Sequence, residues 1–296
     1  MTNILVIGAS GNVSSRIVAL LANEKSVSLR LTSTRDEGVN ALKAAYPDAD
    51  VLRADWYDLP SLKAAFAGMN RVVVIPPDFV TDEEVATPNV IAAAQSTPGL
   101  ELIVRMLANS EQKDEEIDPE LKSVQIGSGL HAIAQSIYNK SDVPVAFINC
   151  SGWFNFVFMQ MIAEDVKAHK QIRLPHDASR FWLDEDDLAA AFVKVLLEGP
   201  EKHLGKHYRV TGLGRYTFGD IAAALSAELG ETIGYVDTED GIRESTGEDA
   251  EALITYLKHD SLLWDKGYAS PDFYNLMGRD QKTLTDFIHR NRDLFI

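Results

Sequence analysis

One cysteine among 296 residues, Cys150, excludes an intrachain disulfide and any multi-cysteine metal site, and it suits a reducing compartment. Basic residues are also scarce. The 28 Lys and Arg face 44 Asp and Glu, and the formal charge of -16 argues against nucleic acid or an anionic membrane surface as partner. A local basic pocket for one phosphate stays compatible with that charge. No hydrophobic run reaches membrane-spanning length, and Met1-Thr2-Asn3 leads straight into an apolar run without the pattern of a signal peptide, so a cytoplasmic protein is expected. Repeats and low-complexity tracts are missing, and no His, Cys and carboxylate cluster at ligand spacing suggests a metal. What is present is ordinary for a globular chain: 46% hydrophobic and 24% charged residues, in a length that can bury a substantial core.

The most informative stretch is Gly8-Ala9-Ser10-Gly11-Asn12-Val13-Ser14. It follows the apolar run Ile4-Leu5-Val6-Ile7 and opens a helical pattern at Ile17, Leu20 and Leu21. Strand, glycine turn and helix in this order make a cradle for a dinucleotide pyrophosphate, because backbone N–H groups approach the phosphates and the helix dipole favours negative charge. Gly8 suits the tight turn and Gly11 the close approach, while Ser10, Asn12 and Val13 complete the cradle. Ser14 stands at the third small position, where a glycine is usual, so the fingerprint is weakened but kept. The alternative is a glycine turn that is only structural.

Residues 27–31 read as a second strand by alternation of Val27, Leu29 and Leu31 with polar residues. An acid at the end of that strand would accept from the ribose hydroxyls of NAD(H), whereas a base accommodates the 2'-phosphate of NADP(H). Here Ser33, Thr34 and Arg35 come first, so NADP(H) is preferred over NAD(H), with Asp36 and Glu37 as first-turn acids of the next helix. That helix covers residues 36–45 and leads to a third strand over 50–53, after which Asp55 is placed either to reach the adenine edge or to cap a helix near Leu59-Pro60. An uninterrupted apolar strand over 71–75 stops at Pro76-Pro77, which puts Pro76 near the nicotinamide end. A helix through 90–95, a strand over 100–107, a polar acidic loop over 108–120, a helix from 121 or later to about 140 and a strand over 143–149 come next. Repeated strand-then-helix units with short connections make a doubly wound parallel α/β sheet the economical architecture.

Residues 1–150 are therefore expected to form a dinucleotide-binding domain, and 151–296 a smaller α+β substrate domain with some segments returning to the sheet. The second part opens with Trp153, Phe154, Phe156, Phe158, Met159 and Met161. Most of these fit a core helix. Because they begin at a strand end, Trp153, Phe154 and Phe156 are candidates for the wall of an apolar substrate pocket. Extended segments over 180–183, 207–211 and 232–236 alternate with helices over 184–197 and 217–229, and a last helix covers about 283–292.

With these residues placed, the chain resembles the NmrA-like group of atypical short-chain dehydrogenases over nearly its whole length. The Gly8 to Ser14 turn, the passage Gly152-Trp153-Phe154, the acidic entry Leu183-Asp184-Glu185-Asp186-Asp187 into an Ala-rich helix, and Gly205-Lys206-His207-Tyr208 followed by Thr211-Gly212 carry the likeness. Ala54-Asp55-Trp56 and Val74-Ile75-Pro76-Pro77 also look like the branch with fungal clavine alkaloid reductases. The resemblance implies a Rossmann fold and NAD(P)H-dependent reduction of quinones, azo compounds, iminium groups or benzylic ethers, or, in other members, dinucleotide sensing without turnover. The chain departs from the family where Cys150-Ser151 replaces an Arg-Pro and Phe156-Val157 a Glu-Asn, which makes the substrate side less polar. The Tyr-x-x-x-Lys pair of standard short-chain dehydrogenases is absent, since Tyr138 and Lys140 are two apart.

If an acid is needed, His131 is the first candidate, at a position resembling one that carries His or Lys in catalytic relatives, and Tyr138 the second. Cys150 reads as an inert small hydrophobe. The expectation is an NADP(H)-dependent oxidoreductase that passes hydride to a small, largely apolar acceptor of iminium, enone or quinone type. Two alternatives stand beside it. One is a non-catalytic redox sensor whose protein partner would meet the acidic segment 111–120, and the other a redox-neutral cyclase or isomerase on the same fold.

Overall fold

The computed structural model describes residues 1–108, 118–124, 126–263 and 269–296. Its first half alternates strands and helices: β1 (Thr2–Val6), α1 (Asn12–Leu21), β2 (Val27–Ser33), α2 (Asp36–Ala45), β3 (Asp50–Arg53), α3 (Leu59–Phe66), β4 (Arg71–Val74), α4 (Glu83–Gln95), β5 (Leu102–Leu107), α5 (Pro119–Ser123), α6 (Gly127–Tyr138) and β6 (Val145–Cys150). The chain continues through β7 (Trp153–Phe154), α7 (Asn155–His169), β8 (Gln171–Arg173), β9 (Arg180–Leu183), α8 (Glu185–Glu198), α9 (Pro200–His203) and β10 (His207–Val210). It closes with β11 (Arg215–Tyr216), α10 (Phe218–Leu229), β12 (Gly234–Val236), α11 (Asp240–Thr246), α12 (Ala250–Leu263), α13 (Asp272–Met277) and α14 (Leu284–Arg290).

Among the described residues seven strands form one sheet in the order β10-β6-β5-β4-β1-β2-β3, and every neighbouring pair in it is parallel. Such a sheet must be covered on both faces, and the period of two along each strand supplies the cover. Ile4, Val6, Leu31, Val73, Val104 and Ile148 face α1 and α8, whereas Leu5, Ile7, Val72, Val74, Ile103 and Leu107 face α3, α4 and α6. Residues 185–210 of the second half return to this sheet, α8 packing across α1 and β10 extending the edge beside β6. A separate core joins α7, α10, α11, α12 and α14, flanked by the pair β12-β8 and the three strands β11-β9-β7.

The structure departs from the sequence reading at three informative points. The helix expected from 121 or later to about 140 is α6, and a separate short helix, α5, precedes it, because Gly127 takes a φ of +56° and Gly129 passes so close to Leu121 that a Cβ would fall 2.9 Å from its carbonyl oxygen. Trp153 and Phe154 are extended and pair with Trp182 and Leu183 of β9, so α7 starts only at Asn155. Helix α4 begins at Glu83, well before Val90, and carries Pro88 in its interior. Of the acidic loop, 109–117 lie outside the described residues. No helix among the described residues is long and apolar enough to cross a membrane.

Candidate active site

The strand order reverses between β1 and β4, and in open parallel sheets the crevice at such a point is where ligands bind. A cleft of about 550 Å³ opens there. Gly8, Ser10, Gly11, Asn12 and Val13 form its floor, Arg35 and Asp55 lie at one end and Pro76 at the other, so all the residues expected to contact a dinucleotide share this wall.

The glycine turn has the geometry its sequence requires. Gly8 takes a φ of +65°, open to glycine at little cost, and its N–H donates to Thr32 Oγ1 at 3.3 Å. Gly11 donates to the Gly8 carbonyl at 3.0 Å, and a Cβ on Gly11 would press to 3.3 Å from that same oxygen. Gly11 is also the N-cap of α1, with no capping side chain and no acid in the first turn. The first helical bond runs from Ser15 N to Gly11 O, so the amides of Asn12, Val13 and Ser14 precede it. By contrast α4, α8, α10 and α14 each carry a capping Asp or Thr and first-turn acids. Helix α1 therefore keeps its positive end for an anion in the cleft, which fits a pyrophosphate. Ser14 adds a buried hydroxyl without a partner among the described residues on the same wall.

At the β2 end, Arg35 is exposed, and its backbone N–H donates to Ser33 Oγ at 3.3 Å. Arg53 donates to the Thr34 carbonyl at 3.0 Å and lies 4.0 Å from Asp36, which draws that acid toward Arg53. Asp55 does not cap α3, whose N-cap is Asp58; its Oδ1 instead accepts from Tyr57 N at 3.0 Å, with the side chain still on the cleft wall.

The opposite end is apolar. Ile75, Pro76, Val80, Met106, Phe154 and Val157 line it. Of the three aromatics expected there, only Phe154 is on this wall. Trp153 turns into the C-terminal core and donates from Nε1 to both oxygens of Asp260 at 3.2 Å, and Phe156 lies under Arg16, 5.2 Å from the ring centroid. Asp260 also holds Arg180, in an ion pair with both side chains fully buried. Glu185, itself buried, joins the two ends: it accepts from Phe156 N at 2.9 Å, Val157 N at 3.3 Å and Asn12 Nδ2 at 3.4 Å. Burial holds its carboxyl above the usual carboxylate range.

His131 and Tyr138 are not brought to this cleft. Helix α6 turns both inward against the sheet, each 1% exposed, and Tyr138 packs edge-on to Phe147. Burial and the nearby Arg105 push His131 well below its usual value, so it is neutral near pH 7, while burial pushes the Tyr138 phenol up. Burial likewise raises the Cys150 thiol. The residue that sequence reasoning missed is Asp78, on the cleft wall one position past Pro77; an acid in the turn that follows β4 was the available signal. Away from the cleft, Asp118, Glu120 and His259 come together, as do Asp165, His169 and Glu244, but Lys258 and Arg173 already occupy carboxylates in these groups.

The sheet order, the glycine turn and the uncapped helix together define a Rossmann-type α/β protein. The chain belongs to the NmrA-like family, whose model matches residues 1–257. It is 27% identical over 234 residues to an NAD(P)H azoreductase of Xenophilus azovorans, covering 79% of this chain and 76% of that one. Among solved structures, an NADPH-dependent quinone oxidoreductase from Escherichia coli in complex with NADPH superposes with a TM-score of 0.80 at 20% identity, covering 97% of this chain and 99% of that one. NmrA, a negative transcriptional regulator, in complex with NADP, gives 0.75 at 15% identity, covering 98% and 95%. At such identities these two structures share the fold alone.

Proposed function

We propose that this protein is an NADP(H)-dependent reductase that delivers hydride to a small, largely apolar acceptor. The observation that carries the reading is the uncapped, acid-free N-terminus of α1 opening on the cleft floor at the strand-order reversal. Bound there, NADPH supplies the hydride. The chain's own part is to hold the dinucleotide and exclude water. Amides of the glycine turn and α1 would hold the pyrophosphate, Arg35 with Ser33 and Thr34 the 2'-phosphate, and Asp55 the adenine side, all of these residues lining the one cleft. In this reading residues 1–150 bind the dinucleotide, and 151–296 supply the acceptor wall through Phe154 and Val157. Iminium, enone and quinone acceptors all suit a wall this apolar. The azoreductase likeness supports the reductase assignment.

A dinucleotide-binding regulator is the second reading, supported by the shared fold of NmrA. The experiment that separates them is NADPH oxidation followed at 340 nm across a panel of quinones, enones and iminium salts. Acceptor-dependent oxidation establishes the reductase; NADPH binding without oxidation by any acceptor favours the regulator. Conversion of an acceptor without NADPH oxidation would reveal redox-neutral chemistry.

A further inference from the structure

The apolar end of the cleft carries one charged side chain among the described residues, Asp78; the other charged wall residues, Arg35 and Asp55, follow β2 and β3 on the far side of β1. Asp78 accepts from the Gly127 N–H at 3.3 Å, and among the described residues it forms no ion pair. Its charged neighbours are already compensated. Arg105 and Glu83, buried behind it, pair with each other. Tyr256 stands against Gly127, where a Cβ would fall 2.8 Å from its hydroxyl, and it is hydrogen-bonded to Asp260. Asp260 is in turn satisfied by Arg180 and by Trp153. Asp78 is thus an exposed carboxylate with no counter-ion among the described residues, set on an otherwise apolar stretch of the cleft wall, where a bound cation would meet it without an internal competitor.

The loop that presents it is held by its own contacts. Phe79, the next residue, takes a φ of +66°, unusual for a residue with a side chain, and its ring packs on the C-terminal core. Thr81 Oγ1 donates to the Pro77 carbonyl at 2.6 Å. Tyr57 clamps the far side, its hydroxyl donating to the Val80 carbonyl at 2.8 Å and accepting from Asp82 N at 2.8 Å. The ring of Phe79 is drawn away into the core while Asp78 is left over the cleft.

We propose that Asp78 makes this end of the cleft a receptor for an organic cation, an apolar or aromatic molecule carrying a positive charge, as iminium salts do and enones and quinones do not. The inference rests on the reductase reading for the chemical step after binding, and it narrows that reading to one acceptor class. When such a cation is reduced, its cationic carbon gains a C–H bond and two electrons from the reduced dinucleotide and loses its charge, and the dinucleotide is oxidised. No proton is required. That balance suits a site whose sequence-expected acids, His131 and Tyr138, are turned away from the cleft. Phe154 adds an aromatic ring to the same wall, and aromatic rings attract cations.

The test is calorimetric titration of the full chain, with and without NADP⁺, using N-methylquinolinium and its neutral counterpart 1-methylnaphthalene, neither of which titrates. At pH 8 the wild type is expected to bind the cation on the order of tenfold tighter, as one partly screened charge contact allows. Asp78→Asn removes that preference and Asp78→Glu keeps it. The preference also fades as pH falls through about 6, since burial raises the Asp78 carboxyl to about 6 against the weaker pull of the Gly127 amide and Arg105, with Glu83 adding to the rise. Equal affinity for the two probes, no binding of the cation, or a preference that survives in Asp78→Asn overturns the proposal. NADPH affinity, measured separately on the same variants, reports on the dinucleotide reading alone, so the two can fail independently.

Discussion

The two ends of the cleft are made in different ways. The dinucleotide end is built from a short run of consecutive residues, 8–14, and from 33–35 at the next strand end, and most of what it offers is backbone. The acceptor end is assembled from the loop after β4, the end of β5 and the start of α7, with α12 behind them. It depends on side chains locked by buried charge: Arg180 with Asp260, Arg105 with Glu83, and Glu185 reaching to Asn12 and α7. A backbone site needs only the right turn. A side-chain site needs its partners to stay in place, so one substitution far from the ligand can undo it.

The largest expected effect breaks that second end. Asp260→Ala leaves Arg180 buried without its partner and frees the Trp153 indole, and it should lower stability by about 3–5 kcal/mol in urea denaturation. Replacing both members by apolar residues, Arg180→Met with Asp260→Leu, should recover much of that loss, because the pair's desolvation is then relieved. A smaller effect is expected at the first end. Gly8→Val forces a β-branched residue to a φ of +65°, costing about 1–2 kcal/mol of stability, and NADPH affinity should fall on the order of tenfold or more as the turn opens. Next comes Arg35→Ala, expected to leave NADH affinity nearly unchanged and to weaken NADPH about tenfold, the scale of one exposed phosphate contact. Equal losses for the two nucleotides would move the 2'-phosphate site elsewhere.

The smallest effect concerns Asp78 and has a definite sign. Its carboxyl titrates near 3.8 in an unfolded chain and at about 6 in the fold, so the folded state binds the extra proton between these values and stability falls as pH rises through that window. Asp78→Asn, which cannot ionise, should therefore melt above the wild type at pH 8 and converge with it near pH 4. Because solvent reaches this carboxylate through the cleft, the difference should stay below about 1 kcal/mol. A variant less stable than wild type at pH 8 would mean that the charge already has a compensating partner.

The same contrast explains what could be read from the chain. Local pattern and local structure coincide at the first end: an apolar run marked β1, alternation marked β2, glycines marked the turn, and β3 and α2 lie at their expected bounds. Asp78 was readable in principle as an acid in the loop that follows β4. Tyr256, Asp260 and Arg180 were not, because what brings them to Trp153 and Gly127 is packing between segments roughly 80 to 130 residues apart, and no spacing in the sequence records it. His131 and Tyr138 misled for a related reason. Helical spacing alone did not say which face of α6 meets the sheet, and the break at Gly127 and Gly129 that sets its position was not visible as a break.

The most direct measurement is a titration of the purified protein with NADPH and NADH, following emission of its four tryptophans, of which Trp56 lies on the cleft wall. Saturable quenching by both, with NADPH the tighter ligand, is the predicted result. Quenching by neither nucleotide would contradict the account, since the uncapped end of α1 and the glycine turn would then be structural features only.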